Sequence, residues 1–155
     1  MDIATANLAQ EVKTTVKNVG TTIVKPLSVT ACAGILSNLF YDSVDNSFFG
    51  LEINEKYFHT GAVGLVSWFE SSLRNLLLPR VIGEKLSHAF IDLTSPFVVG
   101  LATLLLKQGV QFYNFGTYLS LKRSLYSFAF GFTSEVAGVW LYNNLVKPLT
   151  EQMFV

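Results

Sequence analysis

The chain has 155 residues, 50% of them hydrophobic and 14% charged, and its eleven basic residues balance its eleven acidic ones. Soluble domains average about 25% charged residues, so this composition favours a protein in contact with lipid, and the charge balance excludes a basic surface for nucleic acid. The single Cys32 excludes an internal disulfide framework and any multi-cysteine metal site.

Residues 1–20 are predicted to form an amphipathic helix. Apolar residues recur at spacings of four, four, four and three and so form one stripe: Ala4, Leu8, Val12, Val16 and Val19. Lys13 and Lys17 flank this stripe, and Gly20 is predicted to end the helix. Two interpretations are open: the helix packs on the rest of the protein, or it lies on a lipid surface.

Residues 21–155 are predicted to form one helical membrane domain. Asp2 and Glu11 do not fit the basic start of a cleavable signal or transit peptide, so we expect none, and internal segments would direct insertion. Four segments approach the length and hydrophobicity of a membrane span: residues 23–41, 57–78, 88–107 and 124–146.

The first candidate span contains a long uncharged stretch and a pair of small residues. It has no charge from Pro26 to Tyr41. Thr30 and Gly34 form a pair of small residues separated by three positions, which allows a neighbouring helix backbone to approach closely. We therefore expect these two residues to lie in a helix–helix contact.

Residues 42–56 are predicted to form an acidic loop. Counting an EF-hand from Asp45 places Gly50 at the sixth position, but Phe49 and Lys56 occupy positions that require ligands. A calcium site is therefore not expected, and no metal or cofactor is predicted anywhere in the chain.

The second and third candidate spans are separated by a predicted turn. Pro79 and Gly83 mark this turn. Pro96 interrupts the beginning of the third span, so that helix is predicted to kink at this residue or to begin there.

Two polar pairs lie in these spans. Glu70 and Arg74 are four residues apart, as are His88 and Asp92, so each pair shares a helix face. Charges within lipid are costly and normally face the protein interior. This favours an internal ion pair for the first and a hydrogen-bonded pair at a helix N-terminus for the second; the alternatives are an ion or proton path and two metal ligands.

The fourth candidate span contains Glu135 as its deepest charge. Small residues at offsets of four, three and four form a strip beside it: Ser127, Gly131, Ser134 and Gly138. We expect a close helix contact along this strip with Glu135 facing protein, and a proton relay is the alternative. Residues 108–121, which precede the span, are predicted to be an interfacial segment, and Lys147 and Pro148 are predicted to stop it.

A five-residue pattern occurs twice. Val24-Lys25-Pro26-Leu27-Ser28 resembles Val146-Lys147-Pro148-Leu149-Thr150, but the flanking residues do not match. The pattern is therefore interpreted as chance or as a shared helix-terminus device, and not as an internal repeat.

The distribution of lysine and arginine predicts part of the topology. Basic residues precede the first span and follow the second, which places the N-terminus and the 79–88 turn on the cytoplasmic or equivalent side and the 42–56 loop on the other. Three basic residues after the third span violate this alternation if that span crosses fully: Lys107, Lys122 and Arg123. A re-entrant third segment, broken at Pro96, would remove the violation.

The predicted fold is an all-α integral membrane bundle of three or four spans with an N-terminal amphipathic surface helix. A soluble helical domain with a large apolar core is the rival. No phosphate loop, metalloprotease motif or nucleophile elbow is present, so we predict that the protein is not an enzyme.

We expect a non-catalytic structural or accessory subunit of a larger assembly, such as a multisubunit membrane complex or a membrane-containing virion. Its expected partners are membrane lipid and other protein subunits. The alternatives are a small channel, pore-former or proton-conducting subunit, and a soluble helical domain that binds an apolar ligand or partner.

Overall fold

The fold is all-helical apart from one short hairpin. The computed structural model describes residues 2–41 and 45–153, without the side chains at positions 46, 48, 84, 85 and 87–89. The elements in chain order are α1 (Ile3–Val19), α2 (Lys25–Phe40), β1 (Asp45–Phe48), β2 (Leu51–Asn54), α3 (Glu55–Ile82), α4 (Glu84–Phe115), α5 (Leu121–Leu141) and α6 (Lys147–Met153).

Two π-helical turns join neighbouring helices without a break. The first π-turn, Gly20–Val24, connects α1 to α2, and the second π-turn, Tyr142–Val146, connects α5 to α6. The described chain therefore consists of four continuous helices, with α3 and α4 as the middle two.

The four helices pack as an up-and-down bundle in which α2 contacts α3, α3 contacts α4, α4 contacts α5 and α5 contacts α2. The β1–β2 hairpin and residues 116–120 lie at one end, which we call the hairpin end. Gly83, the turn between α3 and α4, lies at the other end, which we call the terminal end because α1 and α6 extend from it. Gly83 has a φ of 86°, a conformation that favours glycine.

The burial of side chains is inverted relative to a soluble bundle. Among the described residues, fourteen buried residues are polar or charged and ten are hydrophobic. Large apolar side chains are exposed on every helix of the bundle, including Ile35 at 70%, Leu65 at 60%, Leu101 at 51% and Leu125 at 58%. Soluble proteins rarely expose contiguous apolar surface of this extent.

Two helices are long and apolar enough to cross a membrane, as judged by length and composition: Ile3–Phe40 and Phe90–Phe115. Only 28% and 39% of their most apolar windows are buried inside the bundle, whereas the core helix of a soluble protein is mostly buried. The segments 57–78 and 124–146 carry more polar residues, and seven of these are buried: His59, Ser67, Glu70, Ser71, Ser127, Ser134 and Glu135.

The prediction that the first helix ends at Gly20 is wrong. Gly20 has a helical φ of −56° and the chain continues through the first π-turn into α2. No residue of α1 is buried, so its stripe does not pack on the rest of the protein, and Leu8 and Val12 are 61% and 49% exposed. The boundary placed after residue 20 is not a break in the helix.

The prediction that Lys147 and Pro148 stop the last helix is also wrong. Both copies of the repeated pattern follow a π-turn and lie inside a continuous helix. A proline lacks the N–H of a helical hydrogen bond and its ring crowds the preceding carbonyl, and a π-turn before it accommodates both effects. The hydroxyl two residues after each proline donates to the valine carbonyl, Ser28 to Val24 at 3.0 Å and Thr150 to Val146 at 2.8 Å.

Residues 42–56 are not all loop. Asp45 pairs with Asn54 and Phe48 with Leu51 in an antiparallel hairpin, and its two turn residues both have positive φ, as a tight hairpin turn requires. The Phe49 N–H donates to Asn114 Oδ1 at 2.7 Å, which attaches the hairpin to α4. Residues 42–44 of the predicted loop lie outside the described residues.

The two internal prolines do not break their helices. Pro79 lies within α3 rather than in the turn, and Pro96 lies within α4, which is continuous from Glu84 to Phe115. The break at Pro96 that the re-entrant interpretation requires is therefore absent. Residues 108–115 of the predicted interfacial segment are the last turns of α4.

Candidate functional site

A buried polar cluster lies between α3, α4 and α5, toward the terminal end. We call it the glutamate cluster and define it by Ser67, Glu70, Arg74, Ser95 and Glu135. Glu135 is fully buried, and Glu70 is 6% exposed. The cluster therefore places two carboxyl groups and a guanidinium inside the bundle.

Hydrogen bonds connect the members of the glutamate cluster. Ser95 Oγ lies 2.8 Å from Glu70 Oε2 and 3.0 Å from Glu135 Oε1. Ser67 Oγ donates to Glu135 Oε2 at 2.9 Å. Arg74 Nε lies 2.6 Å from Glu70 Oε1, which is the ion pair predicted from the spacing.

One serine hydroxyl links the two carboxyl groups of this cluster. The Ser95 hydroxyl has one hydrogen to donate, and both Glu70 Oε2 and Glu135 Oε1 lie within hydrogen-bond distance of it. Ser95 therefore bridges the two glutamates, while Arg74 pairs with Glu70 and Ser67 donates to Glu135.

The predicted small-residue strip on α5 lies against two other helices. A Cβ added at Gly131 would lie 3.0 Å from both Gly100 Cα and Val99 O on α4, and one added at Gly138 would overlap the Val29 backbone on α2. Ser127 and Ser134, the other members of the strip, are buried. These close approaches carry Glu135 inward toward α3 and α4.

The predicted pair on α2 faces α3. A Cβ added at Gly64 of α3 would overlap the Thr30 side chain, and one added at Gly34 would lie in ordinary contact with Thr60, 3.8 Å from its Cγ2. Thr30 also donates its hydroxyl to Pro26 O at 2.8 Å. Small residues thus lie at three of the four helix–helix contacts of the bundle.

A second polar cluster lies near the hairpin end, and the sequence analysis did not predict it. We call it the ion-pair cluster and define it by Tyr41, Glu55, His59 and Lys107. Glu55 Oε1 lies 3.2 Å from Lys107 Nζ and 3.5 Å from His59 Nε2. The Tyr41 ring stacks on His59, with 3.8 Å between the ring centroids.

Neighbouring charge and burial shift the pKa of Glu55, which begins α3, and of Tyr41, which precedes it. His59 lowers the pKa of the Glu55 carboxyl to about 2, and Lys107 acts in the same direction. Burial raises the pKa of the Tyr41 hydroxyl to about 12. Glu55 is therefore ionised and Tyr41 is neutral across the physiological pH range.

An apolar layer separates the two clusters. Val63 lies between His59 and Ser67 on α3, and Val99 lies between Ser95 and Lys107 on α4; both valines are fully buried. Phe130 packs into the same core and touches the His59 ring edge-on, with 5.8 Å between centroids.

The second predicted polar pair does not form a site in the described residues. Asp92 is exposed, and the His88 side chain lies outside the description. Among the described residues no group of three or more histidine, cysteine, aspartate or glutamate side chains could hold a metal ion.

A single local signal could have identified two members of the ion-pair cluster. Glu55 and His59 are four residues apart, like Glu70 and Arg74, and so share one face of α3. Their partner Lys107 comes from another helix, and no sequence spacing connects it to them.

Known proteins provide no relative from which a role could be transferred. The chain matches no protein-family model, no curated protein and no solved structure. The functional argument therefore depends on the burial pattern and on the two clusters.

Proposed function

We propose that this chain is an integral membrane bundle that serves as a non-catalytic subunit of a larger assembly. The observation that carries this proposal is the inverted burial: polar side chains fill the interior, and leucine, isoleucine, valine and aromatic side chains cover the outside of all four helices. A lipid bilayer is the solvent that suits an apolar exterior around a polar interior.

The energetic argument favours lipid outside the bundle. Each Å² of apolar surface left in water costs about 25 cal/mol, so four exposed helix faces would be a large penalty for a soluble monomer. The interior suits lipid equally well, because the members of the glutamate cluster pair with one another between the helices and do not face hydrocarbon.

The ion pair at the hairpin end removes one of the three charges that oppose four crossings. Glu55 neutralises Lys107, so this lysine no longer counts against a fully crossing α4, whereas Lys122 and Arg123 still do. The N-terminal lysines would lie at the terminal end on the cytoplasmic side, and the hairpin would lie on the other side.

The extension of the first helix supports a partner. The 38-residue helix Ile3–Phe40 is about 57 Å long, and the hydrocarbon core of a bilayer is about 30 Å thick. The apolar stripe of α1 is uncovered in the described chain, so α1 is available to lie on the membrane surface or against another subunit.

The membrane part of the proposal is tested by extraction and labelling. Alkaline carbonate should leave the protein in membranes, and single cysteines at Thr14 and Ser47, each in a Cys32→Ser background, should label from opposite sides. Release by carbonate, or a monomer that is soluble without detergent, would overturn the membrane role and favour the soluble ligand-binding alternative.

The assembly part is tested in mild detergent. We expect the native protein to elute with other subunits, and in-membrane crosslinking from a photoreactive group at Leu8 or Val12 to capture lipid or a subunit. A monodisperse detergent-solubilised monomer from native membranes would contradict the subunit role while leaving the membrane role intact.

A proton-conducting subunit is the second candidate, and the Glu70–Ser95–Glu135 bridge is the observation that favours it. A hydroxyl between two carboxyl groups is an arrangement that passes a proton by rotation of the hydroxyl. Proton flux in vesicles reconstituted with the protein should disappear in Glu135→Gln and in Ser95→Ala. Flux equal to that of empty vesicles in the unmodified protein would remove this candidate.

A further inference from the structure

A cavity of about 320 Å³ opens at the hairpin end between α2, α4 and α5. Its lining includes Lys107, Lys122 and Arg123. Glu55 is the one acid among its lining residues in the described part of the chain. The three cations and one carboxylate give the described lining residues a formal charge of +2.

The start of α5 adds to this positive charge. Ser120 is the N-cap, and its Oγ accepts from Arg123 N at 3.3 Å. The N-terminus of a helix carries a partial positive charge that an acidic residue usually offsets, but the first turn of α5 contains no acid and has Lys122 and Arg123 instead. Since Glu55 is already paired with Lys107 at 3.2 Å, the two α5 cations have no carboxylate of their own among the lining residues that the structure describes.

We propose that this cavity binds the phosphate of an anionic phospholipid headgroup. The Arg123 guanidinium presents paired N–H donors that match phosphate oxygens, and Lys122 supplies a second charge. The Tyr41 hydroxyl donates to Ser127 Oγ at 3.5 Å, so the Ser127 hydroxyl hydrogen is a neutral donor in the same lining. The volume lies at the lower end of the range of about 300 to 1,000 Å³ for ligand sites, which suits a headgroup without its acyl chains.

The surroundings favour a lipid over a free anion. Phe40 and Tyr126 line the cavity, and the helices that frame it expose Leu39 at 78%, Leu121 at 77% and Leu125 at 58%. Acyl chains attached to a phosphate in the cavity would lie on this apolar surface. The inference depends on the membrane role proposed above for the lipid source, but not for the binding of phosphate itself.

The test measures thermal unfolding of the protein in a neutral detergent with three additives: phosphatidylglycerol, phosphatidylcholine and sodium phosphate. We expect phosphatidylglycerol to raise the Tm at lower concentration than either of the others. Arg123→Gln should weaken this effect about tenfold or more, since it removes a charge-assisted hydrogen bond. Arg80→Gln, an exposed arginine at the terminal end, is the matched control and should leave the effect unchanged.

Folding of the variant is checked without additives. Arg123 is exposed, so the Tm of Arg123→Gln in detergent alone should equal that of the unmodified protein. Native mass spectrometry of the variant should show one fewer retained anionic lipid. Equal responses of Arg123→Gln and the unmodified protein, or an equal loss in Arg80→Gln, would overturn the proposal. Stabilisation by sodium phosphate but not by phosphatidylglycerol would overturn the lipid assignment, even if carbonate extraction upholds the membrane role.

Discussion

The two buried clusters hold their carboxyl groups in different ways. In the glutamate cluster Arg74 pairs with Glu70, and Glu135 bonds only to serine hydroxyls among the described residues. In the ion-pair cluster Lys107 and His59 both approach Glu55. The comparison shows that the carboxyl group at the hairpin end is held by basic side chains, whereas the deepest one is held by neutral hydroxyls.

Position explains this difference. Glu55 begins α3 beside the hairpin, where a helix N-terminus favours a negative charge. Glu135 lies among α2, α3 and α4, behind the glycines that bring these helices together, and an isolated carboxylate there has a high desolvation cost. The buried Val63 and Val99 keep the two environments apart.

The largest effect is expected from filling the layer between the clusters. Gly131→Leu should lower the free energy of unfolding by about 3 kcal/mol, the upper part of the range for overpacking, because the new side chain would collide with Gly100 Cα and Val99 O. Gly109→Leu on α4, where an added Cβ meets nothing within 4 Å, is the control. The measurement is denaturant unfolding in detergent, and equal stability of the two variants would show that α4 and α5 do not pack at Gly131.

The next largest effect is a difference in stability cost between substitutions of the two glutamates in the glutamate cluster. Glu70→Gln should cost about 2 to 3 kcal/mol, since it leaves the Arg74 cation without its carboxylate. Glu135→Gln should cost under about 0.5 kcal/mol, since glutamine has nearly the same shape as glutamate and can keep hydrogen bonds to both serines. Denaturant unfolding in detergent tests this prediction. A larger loss of stability in Glu135→Gln than in Glu70→Gln would mean that Glu135 carries the charge.

A pH titration sharpens the contrast at the other cluster. The folded pKa of Glu55, about 2, lies below the ordinary value, so its stabilisation is fully present above about pH 4.5 and is lost as pH falls toward 2. We expect a loss on the order of 2 kcal/mol across this window. Thermal unfolding measured at several pH values should show that Tm depends less on pH in this window for Glu55→Gln than for the unmodified protein. An equal dependence would mean that the ion pair contributes no stability.

The smallest effect is expected from removing the Ser95 hydroxyl that bridges Glu70 and Glu135. Ser95→Ala should cost about 1 kcal/mol, because both carboxyl groups lose a partner. Ser71→Ala is the matched control: its hydroxyl is buried but has no hydrogen-bond partner among the described residues, so its removal should be neutral or stabilising. Equal costs for the two serines would contradict the role of Ser95 as a bridge.

Much of the glutamate cluster could be predicted from helical spacing alone. Glu70 and Arg74 pair as their spacing predicts, and Gly131 and Gly138 lie in close helix contacts. These predictions use offsets of three and four within one helix, where geometry is fixed by the backbone. The ends of the outer helices were predicted less well, because stop signals such as Gly20 and Pro148 are local preferences that a π-turn and helix packing override.

The sequence by itself determined that the chain is helical, that its interior holds small and polar residues, and which residues share each helix face. These properties follow from hydrophobic periodicity and residue size within single segments. Only the tertiary structure decided that Lys107 meets Glu55, that Ser95 bridges two glutamates, and that three basic side chains line one cavity. Such contacts join separate helices, and their register is set by how the glycines of α5 fit against α2 and α4 rather than by any spacing along the chain.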